Sequence, residues 1–251
     1  MTFWKEYAEE IIALQQKFIE SQASNIEKAA AMITESLMND GVLHLFGTGH
    51  SCIPLQEAFY RSGGLAPVDA MLDPNLGMGY GAERCSALEK IEGFAAKFVL
   101  PKYDLRPGEV IIVFSTSGRN PAVVEAALIA QEKGLFVIGV TSVKVSMESR
   151  ARHSSNKRLC EVADLVIDIA VPEGDVLLPI PNNPQLGSTG GASTMLTVLF
   201  TNSVLAQIIE NFTLAGKEPP TLLCPNVGEA AVVMEKNRAT MDRFRTRIKH
   251  A

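Results

Sequence analysis

The chain has 251 residues, of which 47% are hydrophobic and 20% charged, and 23 Lys and Arg against 28 Asp and Glu give a formal net charge of −5. This composition is typical of a globular protein with a sizeable core and excludes collagen-like, coiled-coil and disordered chains. The negative charge argues against a nucleic-acid partner, because neutralising phosphates requires a basic surface. The densest basic run, at Arg243, Arg245, Arg247 and Lys249, is predicted to be a solvated helix face.

The four cysteines are far apart and show neither a CxxC motif nor a metal-ligand spacing with histidines. Dispersed thiols in a chain of this length are typical of a reducing compartment, and the first ten residues contain acids rather than an apolar leader. No run approaches the roughly 18 uninterrupted apolar residues of a membrane span. We therefore expect a cytoplasmic protein that contacts no membrane and requires neither a metal nor a cofactor.

In chain order, the first predicted elements are two N-terminal helices over residues 3–39, joined near Ser24. Apolar residues recur there at three-to-four-residue spacing on either side of a polar patch at 21–25. Apolar strands and helices then alternate. Strands are predicted at 42–46, 66–71, 110–114, 135–140 and 165–169, and helices at 54–63, 82–99, 121–130, 187–210 and 229–248.

Strands that are hydrophobic on both faces and alternate with helices indicate a parallel sheet covered on both sides. We predict an α/β fold, a three-layer αβα sandwich with a mainly parallel sheet that is flavodoxin-like or Rossmann-like. One structural domain is expected in three parts: N-terminal helices at 1–40 that pack on the core, a ligand-binding core at 41–215, and a C-terminal extension with a helix at 216–251. Ligands of such sheets bind beyond the carboxyl ends of the strands.

Two loops at these carboxyl ends have the order strand, small polar residues, helix. They read FGTGHS at 46–51 and FSTSGRNP at 114–121. A helix N-terminus presents unpaired backbone N–H groups and a partial positive charge, so a phosphate can bind there without a basic residue. Glycines allow close approach of the backbone, and hydroxyls add donors. The alternative is that both loops are ordinary βα connections, in which Gly and Ser are common.

Nucleotide-binding motifs fit these loops less well. Cys52 occupies the position where the dinucleotide fingerprint requires its third glycine, and no acidic ribose ligand follows a second strand at the usual distance with any clarity. The chain also has no GxxxxGK[ST] motif. Hydride transfer and ATP hydrolysis are therefore less economical interpretations than the binding of a simpler phosphate.

The strand–FGTGHS–helix unit followed by strand–FSTSGRNP–helix resembles the two signature segments of the sugar isomerase (SIS) domain family, whose members bind phosphosugars. The likeness extends over residues 32–210 and includes VIGVTS at 137–142 and GST at 187–189. Within the family, the chain is most similar to a bacterial group related to phosphoheptose isomerase and to the N-acetylmuramic acid 6-phosphate etherases.

The resemblance implies a set of phosphosugar-binding residues in the two loops and at the later GST segment. Asn120 stands where many family members have Thr or Ser, and its amide can still donate to a phosphate. The implied set is Gly49, His50, Ser51, Ser115, Thr116, Ser117, Gly118, Asn120 and Ser188.

Aldose–ketose isomerisation and β-elimination both begin with removal of a proton next to a carbonyl or its equivalent, so each requires a positioned base. In two catalytic branches of the family, a glutamate lies about three helical turns after the first-loop serine. Arg61 occupies that position here, and we expect Glu57 to pair with it at i,i+4. His44 lies in a core strand and is predicted to be structural. The catalytic candidates are Glu89 and Glu92, which resemble the second etherase carboxylate in location, His50 and His153, and further along the chain Glu173 and Asp175.

These features favour a phosphosugar isomerase that works by acid–base proton transfer. Two alternatives stay open: a non-catalytic phosphosugar sensor, suggested by Arg61, and a sugar-phosphate etherase or lyase, suggested by Glu89 and Glu92. The expected partner is a phosphorylated sugar. The two N-terminal helices expose apolar positions on more than one face, which predicts a homodimer or homotetramer in which they pack across a two-fold axis.

Overall fold

The computed structural model describes residues 2–250. The helices are α1 (Phe3–Met38), α2 (Ile53–Ala58), α3 (Ala82–Leu88), α4 (Pro121–Glu132), α5 (Val143–Glu148), α6 (Leu159–Val162), α7 (Ser193–Leu214) and α8 (Ala230–Asp242). The strands are β1 (Leu43–Gly47), β2 (Val68–Ala70), β3 (Val110–Phe114), β4 (Phe136–Thr141), β5 (Leu165–Asp168), β6 (Val176–Pro179) and β7 (Ser188–Gly191). Several 3-10 turns and a π-helical turn at Ala95–Val99 connect them.

Five strands form one parallel sheet in the order β2-β1-β3-β4-β5, with Leu43 opposite Val68 on one side and Val110 on the other. Every residue of β1 and β3 is buried. The strand order is that of flavodoxin-like doubly wound sheets, in which the chain leaves β1 and β3 in opposite directions and a crevice opens between them. The predicted α/β sandwich with a mainly parallel sheet is confirmed.

Helices cover both faces of this sheet and form two hydrophobic cores. α1, α2 and α7 pack on one face, where Leu45 and Phe200 are fully buried. α4, α6 and the segment 95–105 pack on the other face, which receives Phe46 and Val113. Leu45 and Phe46 are neighbours in β1 and enter different cores, because successive side chains of a strand point to opposite faces.

The N-terminal region is one helix, and the prediction of two helices joined near Ser24 is wrong. Two side chains of the polar patch at 21–25 face the protein, and the patch does not end the helix. The side chain of Gln22 is buried, and its Oε1 accepts a hydrogen bond of 3.2 Å from the Asp168 N–H, while Asn25 Nδ2 donates to the Val166 carbonyl at 3.4 Å. Polar residues that bond to the end of β5 therefore interrupt the apolar pattern without interrupting the helix.

Four other predicted helices are shorter in the structure, three of them in the region 53–214. The helix predicted at 82–99 ends at Leu88, and the chain turns through Gly93, which has a φ of 86°, before the π-helical turn. The one predicted at 54–63 ends at Ala58, and the one predicted at 187–210 begins at Ser193. Residues 187–191 belong instead to the antiparallel β6–β7 hairpin. The GST segment at 187–189 therefore does not form the start of α7.

The C-terminal segment packs against the sheet edge opposite the two polar loops. Met241, Phe244 and Ile248 form a small buried cluster with Val42 and Leu222. This anchoring begins before α8, where the Ala66 N–H donates to the Pro220 carbonyl at 2.8 Å. The extension beyond the sheet is therefore part of the folded core, and α8 is shorter than the predicted 229–248.

The predicted solvated face at 243–249 is wrong for Arg247. The side chain of Arg247 is 11% exposed and pairs with Asp104 and with the buried Glu109, each at 2.7 Å. The prediction failed because the chain turns after Asp242, which directs this arginine inward.

His44 lies behind Glu109 in the same network. His44 Nε2 is 2.9 Å from Glu109 Oε2, and Nδ1 is 3.2 Å from Asp69 Oδ2, with all three side chains buried. Burial by itself lowers the pKa of His44, but the hydrogen bonds and charges of the two carboxylates outweigh burial and raise it above 6.5. The two carboxylates therefore favour the protonated form of the imidazole, as suits a structural histidine in a core strand.

Among the helices of residues 2–250, α7 alone is long and apolar enough to cross a membrane by length and composition. Its side chains at Leu196, Phe200, Val204 and Ile208 are fully buried against the sheet and α1. The apolar character of α7 is accounted for by its place in the core.

Candidate functional site

The crevice at the carboxyl ends of β1 and β3 contains a polar cavity of about 460 Å³. Both predicted loops contribute to it, as do the segment after β5 and the end of α3. Its lining is Thr48, Ser51, Glu89, Ser115, Thr116, Ser117, Arg119, Asn120, Val145, Ser149, Pro172, Glu173, Gly174 and Asp175. The switch between the two windings of the sheet thus coincides with a dense set of hydrogen-bonding groups.

The second loop is a compact turn that presents its hydroxyls to the cavity. The Gly118 N–H donates to Ser115 Oγ at 3.1 Å, and Gly118 has a φ of 60°. A Cβ atom at Gly118 would lie 3.0 Å from both Ser146 Oγ and Thr141 Oγ1, so only glycine fits without displacing them. Within residues 2–250, the N–H groups of Thr116 and Ser117 donate no hydrogen bond to another protein group. These groups and the hydroxyls remain available to an oxyanion.

The first loop is held close to the sheet by glycine and cysteine. A Cβ atom at Gly47 would lie 2.3 Å from the Ser51 carbonyl oxygen, so the turn closes only around glycine. The buried Cys52 thiol contacts the Gly47 carbonyl at 3.2 Å. Burial, reinforced by Cys85 and Glu89, raises the pKa of Cys52 to about 12, so the thiol is neutral. Cys52 therefore supports the loop, and Ser51 is left as the hydrogen-bond donor that this loop provides to the cavity.

Glu89 is the carboxylate that both loops surround. Thr48 Oγ1 donates a hydrogen bond of 2.5 Å to Glu89 Oε2. The Glu89 carbonyl accepts from the Ala122 N–H in the first turn of α4 at 3.2 Å, so α4 fixes the backbone of this residue. One N–H group of the α4 terminus is therefore occupied within the protein.

Arginines supply positive charge beside the hydroxyls. Arg119 lines the cavity, and its carbonyl accepts from the Arg152 N–H at 3.1 Å. Arg152 Nη1 donates to Asn120 Oδ1 at 2.8 Å. Because the Asn120 oxygen is occupied as an acceptor, its NH₂ group is the part free to donate to an anion. Arg119 stands inside the FSTSGRNP segment but carried no role in the sequence-based set.

The segment after β5 forms the acidic wall of the cavity. Asp175 is fully engaged: Oδ1 accepts from the Ser193 N–H at 2.7 Å, and Oδ2 accepts from the Ser193 hydroxyl at 2.5 Å. It caps the N-terminus of α7, where a negative charge is favourable. Glu173 lines the same wall and is exposed. Of these two candidates, Glu173 presents the available carboxylate.

Residues 6–142 of the chain match the family model described as the SIS domain. The chain belongs to the SIS domain family. It is 38% identical over 247 residues to a UPF0309 protein of Listeria monocytogenes serotype 4b (strain CLIP80459), with 96% of each chain covered. The SIS fold recurs in phosphoheptose isomerase GmhA from Neisseria gonorrhoeae, at 20% identity and a TM-score of 0.53 over 83% of this chain and 100% of that chain.

A further similar structure is that of the Vibrio vulnificus NanR protein complexed with ManNAc-6P. It is 12% identical to this SIS protein and has a TM-score of 0.50 over 98% of this chain and 69% of that chain. At these identities, both structures establish a shared fold.

The cavity lining includes eight of the predicted site residues and omits six. Inside are Ser51, Glu89, Ser115, Thr116, Ser117, Asn120, Glu173 and Asp175; outside are Gly49, His50, Gly118, Glu92, His153 and Ser188. Gly49 and Gly118 shape the loops by their positive φ angles. His50 is exposed on the first loop, and Ser188 lies exposed in β7, displaced from the cavity by the hairpin.

Glu92 and His153 form a contact of their own beside the cavity. The Glu92 carboxylate accepts hydrogen bonds from the hydroxyl and backbone N–H of Ser154, and these bonds lower its pKa. His153 Nε2 is 3.7 Å from Glu92 Oε1. The two candidate carboxylates thus separate: Glu89 faces the cavity and Glu92 fastens the loop at 150–158. The structure therefore does not support an etherase mechanism that uses both carboxylates.

Arg61 lies outside the SIS cavity. It pairs with Glu57, as predicted, and α2 ends at Ala58, three residues before it. Arg61, which departs from the family pattern, therefore lies in another part of the molecule. The cavity residues that the sequence interpretation missed are Thr48 and Arg119, inside the two motifs, and Val145, Ser149, Pro172 and Gly174, which no local pattern indicated.

No group of three His, Cys, Asp or Glu side chains in residues 2–250 is placed to hold a metal ion. The expected independence from metals and cofactors stays a prediction.

Proposed function

We propose that this SIS protein is a phosphosugar isomerase. The phosphate group is held by the hydroxyls of Ser51, Ser115 and Ser117, with the Asn120 amide and Arg119 completing the donors. Phosphoheptose isomerase GmhA, the similar structure described above, supports this substrate class by its name. The observation that carries the proposal is the placement of Glu89 in the same cavity as these donors.

Glu89 is the proposed general base. Its carboxylate removes the proton from the sugar carbon next to the carbonyl, and the electron pair left behind forms the enediol C=C bond as the carbonyl oxygen gains a proton. Return of a proton to the neighbouring carbon, with loss of the other hydroxyl proton, gives the isomer. Glu173, on the opposite wall, is the second carboxylate available to move the hydroxyl proton. Thr48 orients Glu89.

Solvent deuterium exchange tests the proposal directly. The purified protein is incubated in D₂O with hexose, heptose and amino-sugar phosphates, and the carbon next to the carbonyl is followed by NMR. Incorporation of deuterium at that carbon, dependent on Glu89, is the expected result. A thermal shift with the same panel reports binding separately, at roughly 2.7 kcal/mol of added stability at a hundredfold excess over Kd.

A non-catalytic sensor is the second candidate. Two observations favour it. Arg61 stands at the position where two catalytic branches of the family have a glutamate, and it lies outside the cavity. The NanR protein, whose structure contains ManNAc-6P, has a similar fold. A sensor binds a phosphosugar and raises the melting temperature without exchanging deuterium. The two experiments together separate the candidates.

We also propose a cytoplasmic homo-oligomer that joins through α1. Trp4 is 67% exposed, Ile12 is 63% exposed, and Ile19 is exposed as well, although Ile11 and Phe18 on the same helix are buried. At 100° per residue, Ile12 and Ile19 lie about 20° apart and form an exposed apolar stripe along α1, beside the buried side chains. A second copy of the chain is the proposed partner for this stripe.

A further inference from the structure

A second and larger cavity, of about 890 Å³, lies away from the phosphosugar site. It is bounded by the turn after α2, by the segment 222–225 and by one face of α8. It shares no lining residue with the polar cavity at the ends of β1 and β3. Its volume is in the range of cavities that hold small molecules.

Arginines converge on this cavity. Arg61, Arg238 and Arg245 line it, and Glu235 is the one acidic residue of the lining. Three of the lining side chains are thus guanidinium groups, although the whole chain has a formal charge of −5. Arg61 and Arg245 have carboxylate partners on their own segments, whereas Arg238 forms no ion pair with any residue of 2–250. Guanidinium groups bind phosphates through two parallel hydrogen bonds.

The other wall of the cavity is apolar and open. Tyr60 is 63% exposed, Met234 is 62% exposed, and Leu223 is also exposed, so three large apolar side chains border one cavity. Tyr60 has a φ of 49°, a left-handed conformation that is unfavourable for a bulky residue. The turn maintains this conformation with the ring at the cavity mouth, where it offers a flat surface for stacking.

Hydrogen bonds hold these walls in place without a ligand. The Gly63 N–H donates to the Leu222 carbonyl at 2.6 Å, and the Leu222 N–H donates to the Gly64 carbonyl at 2.9 Å. Asn237 exchanges two hydrogen bonds of 2.8 Å with the backbone of Leu223, which fixes α8 against the same segment. The turn after α2, the segment 222–225 and α8 are therefore held together around the cavity before a ligand binds.

We propose that this cavity binds a phosphate ester that carries a flat apolar group, the chemistry of a nucleoside phosphate. The phosphates pair with Arg238, Arg61 and Arg245, and the flat group packs between Tyr60 and Met234. The site is separate from the phosphosugar site, and its ligand is expected to bind whether or not a phosphosugar is present.

Calorimetric titration of the full chain with ADP tests the proposal, with adenosine and inorganic phosphate as separate arms. ADP is expected to bind with a stoichiometry of one per chain, and each of adenosine and phosphate more weakly by about tenfold or more, since each lacks half of the contacts. Arg238→Ala is expected to weaken ADP binding roughly tenfold. The control, Arg243→Ala, removes the same charge from an exposed arginine outside the lining and should leave ADP affinity within about twofold.

Several results would overturn the proposal. They are absence of ADP binding at millimolar concentration, equal losses in Arg238→Ala and Arg243→Ala, and competition between ADP and a saturating phosphosugar, which would place ADP in the other cavity. A change of oligomer mass in Arg238→Ala without ADP binding would assign the surface to a second copy of the chain instead. Arg238→Ala is expected to keep the thermal shift with phosphosugars, so failure here is distinguishable from failure of the isomerase proposal.

Discussion

Thr48 and Glu89 come from separate segments, 41 residues apart, and the Thr48 hydroxyl donates a hydrogen bond of 2.5 Å to the Glu89 carboxylate. Thr48 belongs to the loop after β1, whereas Glu89 follows the last residue of α3. The bond therefore fixes the proposed base relative to the loop that supplies Ser51. A carboxylate held in this way loses little conformational entropy when the substrate binds.

Substitution of the proposed base has a defined outcome. Glu89→Gln should lower the rate of deuterium exchange roughly a hundredfold or more, because an amide cannot accept the carbon-bound proton. Phosphosugar binding should persist, since the phosphate donors are untouched. Glu92→Gln is the matched control, because Glu92 binds Ser154 outside the cavity. Equal losses in both variants would refute the assignment of Glu89.

The loop hydroxyls should determine affinity for the phosphate. Ser117→Ala removes a donor to a charged group and is expected to raise the Kd of a phosphosugar roughly tenfold, as measured by calorimetry. Ser188→Ala removes the same hydroxyl from the exposed β7 strand and should change the Kd little. A larger increase of the Kd in Ser188→Ala than in Ser117→Ala would show that the GST segment takes part in phosphosugar binding.

Stability should fall on the alkaline side because of His44. Its pKa is raised above 6.5 in the folded protein, so its contribution to the unfolding free energy is fully present below about pH 6.5 and is lost as pH rises through the folded value. Glu109 behaves oppositely: burial raises its pKa, but hydrogen bonds from His44 and Arg247 outweigh burial and lower it. Its contribution is present above 4.5 and is lost as pH falls.

Urea unfolding between pH 6 and 9 checks this expectation. The wild type should lose stability as pH rises, and His44→Gln should be about 3 kcal/mol less stable at pH 6 with a flatter dependence, because two buried carboxylates lose their counter-charge. His153→Gln, a histidine outside this network, should retain the wild-type slope. An unchanged slope in His44→Gln would show that the imidazole is neutral.

Removal of Arg247 should release the C-terminal segment. Arg247→Ala leaves the buried Glu109 with one cationic partner fewer and is expected to cost about 3 kcal/mol of unfolding free energy. Arg243→Ala breaks an exposed pair with Asp40 at 3.4 Å and should cost at most about 1 kcal/mol. Hydrogen exchange at 241–248 should rise in the first variant and stay at the wild-type level in the second.

The oligomer should depend on the exposed stripe of α1. Ile12→Glu places a charge in the proposed interface, so sedimentation at micromolar concentration should show a shift from dimer or tetramer to monomer. Ala13→Glu adds the same charge about 100° around the helix and should leave the mass unchanged. A monomeric wild type would remove the basis for this interface.

Local patterns were sufficient where one kind of side chain dominates a whole segment. Every predicted strand of the parallel sheet is present, because strands covered by helices on both faces are mostly apolar and stand out as hydrophobic runs. The two loops were found for a related reason, since Gly47 and Gly118 hold positions that no other residue fits. The single helix at the N-terminus escaped prediction because Gln22 is polar and buried, and its partner lies on β5.

By itself, the amino-acid sequence determined the parallel sheet and the two small-residue loops at its carboxyl edge, because hydrophobic burial and glycine geometry act on neighbouring residues. Only the tertiary structure decided that Glu89 enters the cavity while Glu92 does not, that Arg61 lines another cavity, and that Arg247 is buried. These three outcomes depend on hydrogen bonds and packing between distant segments, and no spacing along the chain encodes them.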